Sequence, residues 1–279
     1  MRALGILLSI LFLILVAVYF IFIKPEKYED ADLYDEILHR GKLKVGINTE
    51  SKPFGFMDKD WKIVGYDADL AHYMAQYILK NPDAVEFYPV TPANRMLKVS
   101  TGELDMVIAT VTITPQRQEI INFSVPYDYA GQALLVRSNS KIKSLADLSG
   151  QNVGVVFGTT AEKNMLALAP DATIIGFRNY RAAYEALKAG KIDALTSDDT
   201  ILSAFTYEDS SVKLLPKRYT IPYGSLVYLL PKRYTKEPYG IAIRKGKGTV
   251  RLKENVDFAI GDMKQKNVIV RMRRKWGLK

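Results

Sequence analysis

Apolar residues in this chain fall into short runs separated by amphipathic stretches. From position 42, Lys42–Ile47 (KLKVGI), Val85–Val90 (VEFYPV) and Met106–Ala109 (MVIA) read as strands. Between them, Asp67–Leu79 repeats apolar residues at three- and four-residue spacing. It predicts a helix with Asp67 as its N-cap. Asn94–Ser100 predicts a second helix, stopped at Gly102, and MDKDWKIVGY reads as a hairpin-like excursion. Strands alternating with helices predict an α/β unit with a mainly parallel sheet, where ligands gather beyond the carboxyl ends of the strands.

The pattern restarts at Gly131. Gln132–Val136 is a strand leading away from the first unit, and Ser144–Asp147 looks like a capping arrangement that opens a short helix. Val153–Phe157 (VGVVF) is a strand, and Gly158-Thr159-Thr160 then opens a helix. Thr173–Phe177 is a strand, Tyr180–Ala189 a helix, and Ile192–Thr196 a strand that runs into Ser197-Asp198-Asp199. Gly102-Glu-Leu-Asp105 before one strand echoes Gly190-Lys-Ile-Asp193 before another, as two similar lobes would. LLPKRYT occurs twice, at 214–220 and 229–235, followed by IPYG and by EPYG. Two copies make a local duplication rather than a solenoid, which needs three or more. One copy is expected to belong to the fold. Leu252–Trp276 reads as a helical tail with Val256, Ile260 and Met263 on one face.

The N-terminus differs. Ala3–Ile23 carries no charge and is long enough to span a bilayer, which takes about 20 residues. It ends without an A-x-A-like cleavage site, so we read an uncleaved signal anchor, one transmembrane helix over 1–24. Charge bias places the globular part outside the cytoplasm. The chain has no cysteine and two well-separated histidines, so no disulfide, metal or cofactor is expected. A net charge of +9 without a long basic run does not suggest nucleic-acid binding.

Candidate chemistry concentrates between Leu104 and Tyr127. Thr110, Thr112 and Thr114 alternate as a strand ends; Thr114 suits an N-cap, Pro115 the first helical position, and Arg117 falls in the first turn. Hydroxyls, unpaired N–H groups and a guanidinium suit a small carboxylate. The alternative is a surface turn with a solvated arginine. The Gly158–Thr160 turn offers the same donors, and Asp198 offers a carboxylate at a strand end.

These segments together resemble the extracytoplasmic solute-binding proteins of polar amino-acid ABC transporters. The matches are KVGI, KPFGF and GYDADLA, then GELDMVIATVTITPQRQEIINFSVPY, SLADLSGQNVGVVFGTT, KAGKIDALTSDDTIL, EPYGIAIRKG and RKWGL. The resemblance implies a two-lobed, hinged α/β fold of the type II periplasmic-binding-protein kind that closes on one free amino acid. The implied division is a tether at 25–40, lobe 1 at 41–130, and lobe 2 at 131–225. Residues 226–279, duplication included, return to complete lobe 1.

By motif, Arg117 would grip the ligand α-carboxylate, with Thr112, Thr160 and Thr159 beside it. Asp198 and the Thr110 carbonyl would hold the ammonium. Arg95, in a segment similar to aspartate- and glutamate-binding members, would reach an acidic side chain, unless it is a solvated helix arginine; Phe54 would line the site. Two departures stand out: Ser51 where many members carry an aromatic, and Asn48 where some acidic-ligand members carry lysine, a loss Lys52 could offset. The implied function is a monomeric, membrane-held receptor delivering an acidic amino acid to a permease, not an enzyme. A prephenate-type dehydratase on the same fold, drawing on Glu50, Asp198 or Asp199, is one alternative, and a membrane-tethered sensor is another.

Overall fold

The computed structural model describes residues 32–215 and 234–278. The expected anchor lies outside these residues, as does most of the duplication. Among the described residues no helix is long and apolar enough to cross a membrane.

Lobe 1 opens with α1 (Leu33–Arg40), capped by Asp32 and buried through Leu33 and Ile37. β1 (Leu43–Ile47) follows, then a small antiparallel sheet of β2 (Glu50–Ser51), β3 (Gly55–Met57) and β4 (Ile63–Val64). Next come α2 (Tyr66–Leu79), β5 (Val85–Pro89), α3 (Arg95–Ser100), β6 (Met106–Thr112), the single turn α4 (Pro115–Gln118), β7 (Ile121–Phe123) and β8 (Asp128–Ala130). Lobe 2 holds β9 (Gln132–Arg137), β10 (Asn152–Val156), α5 (Ala161–Leu168), β11 (Thr173–Phe177), α6 (Tyr180–Lys188), β12 (Ala194–Asp198), α7 (Asp199–Glu208) and β13 (Val212–Leu215). The chain then returns to lobe 1 through β14 (Glu237–Arg244), α8 (Val250–Gln265) and α9 (Val268–Lys275). The tail is therefore two helices, broken at Asn267 in the left-handed region, φ 56°. Val256, Ile260 and Met263 of α8 are fully buried, each contributing about 1.5–3 kcal/mol.

The lobe 1 sheet runs β5-β1-β6-β14-β7, with β8 also on β14; the lobe 2 sheet runs β11-β10-β12-β9-β13. In each lobe the central strand pairs in parallel on one side and antiparallel on the other. The lobes join where β8 passes into β9 and where Tyr234–Glu237 returns alongside. Tyr234 N donates to Gln132 O at 3.1 Å, and Glu237 sits opposite Ala130. Two antiparallel crossings side by side make a hinge.

The Gly-x-x-Asp echo has a structural basis. Asp105 N donates to Lys44 O at 3.1 Å, and Lys44 N returns a bond to Asp105 Oδ2 at 2.7 Å. Asp193 N donates to Asn152 O at 2.8 Å, and Asn152 N returns a bond to Asp193 Oδ2 at 2.9 Å. Each aspartate also meets an arginine, Arg40 or Arg137. The same clasp thus fastens the start of the central strand to its neighbour in both lobes.

One predicted cap is corrected. Gly65, at φ 132°, precedes α2 as its N-cap, and Asp67 lies one position inside the helix, 1% exposed. A Cβ on Gly65 would come within 2.1 Å of Phe54 O, so the position has no room for a capping side chain.

Candidate functional site

The lobe 1 wall of the cleft is the end of β6, which continues past the predicted Ala109 to Thr112. Its pairing with β14 shifts register between Gly240 and Ala242, a bulge that bends the strand. Opposite that shift Thr110 takes φ +49°, a conformation uncommon for a β-branched residue. Its N–H faces Asp67 Oδ2 and the Tyr127 hydroxyl, both at 3.2 Å, and Tyr127 donates to Asp67 Oδ1 at 3.1 Å.

Arg95 is no solvated helix residue: it is 3% exposed. Its guanidinium donates to Ala109 O and, at 3.4 Å, to Thr110 O, so the Thr110 carbonyl expected to face an ammonium already meets a cation. The buried Arg95 Nε makes no hydrogen bond. Thr114 caps its turn as predicted, accepting from Arg117 N at 3.2 Å. The Arg117 side chain reaches further. One nitrogen donates to Thr112 O and the other to Gly158 O, both at 2.9 Å. Gly158 belongs to lobe 2, so this arginine bridges the lobes.

The lobe 2 wall is built from strand ends. Gly158, φ +79°, fits against lobe 1 because a Cβ there would come within 2.3 Å of Pro92 O. Thr159 spends its hydroxyl proton on Val156 O at 2.7 Å, and Thr160 spends its own on Glu237 Oε2 at 3.1 Å. The Thr159 oxygen also accepts from Ala161 N at 3.3 Å, and the Thr160 oxygen is left as an acceptor. Asp198, 9% exposed, ends β12 and accepts from the Tyr239 hydroxyl of lobe 1 at 2.5 Å. Asp199 instead clasps Gly131 at the hinge, its N donating to Gly131 O at 2.8 Å. α6 packs against β2, so the lobes meet on this side as well.

Sequence reasoning missed Glu237. It is 4% exposed and accepts from Thr160, from Asn164 Nδ2 at 3.0 Å and from Thr235 Oγ1 at 2.7 Å. Asn164 also donates to Gln132 Oε1 at 2.7 Å, tying the hinge to α5. A signal was present in the duplication: the second copy reads Lys-Glu-Pro-Tyr-Gly where the first reads Ile-Pro-Tyr-Gly, and only the second carries the acid.

The charges are opposed across the cleft. Burial pushes the Asp198 carboxyl up to about 7, neighbouring Glu237 adds to the rise, and the Tyr239 hydrogen bond and Arg95 act against it. Burial holds Arg117 down to about 10, with Arg95 adding to the effect and Asp198 and Glu237 opposing it. Burial also pushes Asp67 up to about 7. Lobe 1 thus offers two desolvated guanidiniums and lobe 2 an acid that gains from a cation.

The structure brings Arg117, Thr112, Thr110, Arg95, Thr159, Thr160 and Asp198 together. Phe54 differs: it is fully buried, edge to face with Tyr66 at 5.8 Å and Tyr239 at 5.7 Å, so it backs Tyr239. Lys52 is exposed, its ammonium 5.1 Å from the Phe56 ring, and Asn48 Oδ1 accepts from Glu50 N at 2.9 Å. Among the described residues no group of three or more His, Asp or Glu side chains could hold a metal ion.

Two lobes joined by paired crossings, with opposed charges facing each other between them, have the arrangement of a solute-binding protein. The chain belongs to the bacterial extracellular solute-binding proteins, family 3, which it matches over residues 43–279. It is 33% identical over 255 residues to the ABC transporter glutamine-binding protein GlnH of Bacillus subtilis, covering 91% of this chain and 87% of that protein. It is 36% identical over 213 residues to the glutamine-binding protein of Geobacillus stearothermophilus, covering 76% of each. The solved structure of the ancestral amino acid-binding protein AncCDT-1, a precursor of cyclohexadienyl dehydratase, matches with a TM-score of 0.75 and 33% identity. That match covers 88% of this chain and 99% of the ancestral one.

Proposed function

We propose that the chain is the receptor of an ABC transporter for a polar α-amino acid whose side chain ends in an oxygen acceptor, glutamate or glutamine. The observation that carries the reading is Arg117 and Asp198 on opposite lobes of a closed cleft, with the unpartnered Nε of Arg95 buried beside them. Arg117 takes the α-carboxylate as a paired acceptor, Asp198 the ammonium, and Arg95 a side-chain oxygen. Ligands of opposite charge at opposite lobes make binding and closure one event. The cationic Arg95 favours glutamate, whereas the names of the two relatives favour glutamine. The solute would be handed to a permease at the outer face of the membrane.

Calorimetric titration of the full-length, ligand-stripped chain with free amino acids tests this. A dissociation constant of about 1 μM or tighter for glutamate or glutamine is expected. No heat from any amino acid would overturn the reading. Arg95→Met should weaken whichever of the two binds. The dehydratase alternative draws on the AncCDT-1 likeness and on a buried acid held near 7, which suits general-acid work. Conversion of prephenate or arogenate by the pure protein would favour it.

A further inference from the structure

Thr110 holds a costly backbone conformation at the centre of the site. A β-branched residue at φ +49° persists only where its surroundings over-determine it. The register shift against β14 frees the backbone of this stretch from ladder pairing. What meets the Thr110 N–H is Asp67 Oδ2, with the Tyr127 hydroxyl at the same 3.2 Å distance. Tyr127 in turn is fixed by donating to the other Asp67 oxygen. The two donors are accepted on separate Asp67 oxygens, and the ionised form, populated as pH rises through about 7, offers both oxygens without a proton of its own. Asp67 lies in the first turn of α2 and is 1% exposed.

We propose that Asp67 is a positioning residue that holds Thr110 in its left-handed conformation and so aims the Ala109 and Thr110 carbonyls at Arg95. With those carbonyls in place, the Arg95 guanidinium is oriented by two acceptors and its Nε is presented to the ligand. Asp67 then governs affinity without touching the ligand. This role rests on the amino-acid site proposed above.

Asp67→Asn keeps the shape but sets an amide N–H2 against one of the two donors. Titration of the full-length chain with glutamate and glutamine should show affinity about tenfold weaker. Thr110→Gly provides a residue that adopts positive φ without strain. In that background the added cost of Asp67→Asn should shrink to about twofold or less, because little strain remains to be held. Equal losses in both backgrounds, or no loss in either, would overturn the proposal. Tyr127→Phe removes only the hydroxyl and is the second variant should Asp67→Asn fold poorly; its smaller loss should vanish in the Thr110→Gly background too. Hydrogen exchange of the Thr110 amide needs no ligand. It should quicken in Asp67→Asn, and an unchanged rate would sink the positioning role. If the parent chain binds no amino acid, the site reading falls, and the exchange rate still decides the role of Asp67.

Discussion

In lobe 1, Asp105 and Lys44 exchange two hydrogen bonds where the central strand begins, and in lobe 2 Asp193 and Asn152 do the same. At the other end of those strands the likeness stops. β6 runs into a bulge with a strained threonine, a buried Arg95 and a half-buried Arg117, whereas β12 runs straight into Asp198 at the start of α7. One folding unit is used twice, with its chemistry placed where the copies diverge. Strand starts carry the fold, and strand ends carry the site. This is how an α/β sheet separates stability from function.

The largest expected effect breaks the lobe 1 end. Arg117→Ala removes the guanidinium that touches Thr112 and Gly158, leaving Asp198 and Glu237 with one opposing cation fewer. Affinity for the amino acid should fall at least about a hundredfold, since truncating one member of a buried charge set costs several kcal/mol. Titration calorimetry would read it, and near-parental affinity would remove Arg117 from the site.

Breaking the lobe 2 end should have a different signature, because Asp198 is held in its neutral direction. Its folded pKa is raised to about 7, so the folded chain binds a proton more readily than the unfolded one. The contribution is fully present below about 4 and is lost as pH rises through about 7. Asp67 acts in the same direction. The unliganded protein should therefore lose stability between about pH 4 and 7, and Asp198→Asn should flatten part of that decline. An ammonium beside Asp198 favours its ionised form, so ligand binding near neutral pH should release a proton. Titrations in buffers of different ionisation enthalpy would detect the release, which should disappear in Asp198→Asn together with most of the affinity. Retained proton release in that variant would assign it elsewhere.

Much of this division was legible in the sequence. Thr114, Pro115 and Arg117 are local neighbours whose capping chemistry is written in consecutive residues, and the structure keeps that cap. The strand-helix alternation and the paired Gly-x-x-Asp steps reported both lobes. Glu237 and Tyr239 were not legible as cleft residues. They reach Thr160 and Asp198 only because the second crossing returns beside the first, across 77 and 41 positions of chain. Asp67 misled for a similar reason: at a helix start it resembles a cap, yet its partners lie 43 and 60 residues away.

A smaller effect sharpens the contrast from the strand starts. Asp105→Ala leaves the Lys44 N–H and Arg40 without their acceptor and should cost about 1–3 kcal/mol of stability. Asp193→Ala should cost less, because its side chain is 29% exposed against 5% for Asp105. Denaturant midpoints would rank the two. Neither substitution should move amino-acid affinity, and a matched loss of affinity would show that the clasps also shape the site.

The smallest effect is expected from removing residues 216–230, which leaves a single LLPKRYT. The described fold takes Leu214 and Leu215 from the first copy, in β13, and Tyr234 and Thr235 from the second, at the hinge. Leu215 lies opposite Leu134, and Tyr234 bonds to Gln132, two strand positions away, or about 7 Å. In the shortened chain four residue steps would join Leu215 to Tyr234, and four steps reach up to about 14 Å. One copy is therefore long enough to make the crossing, and loop length itself changes stability only weakly. The shortened chain should fold with its melting temperature and amino-acid affinity close to those of the parent. A large loss of affinity with the fold intact would mean that the second copy tunes closure, and the hinge would join the strand ends as a seat of function.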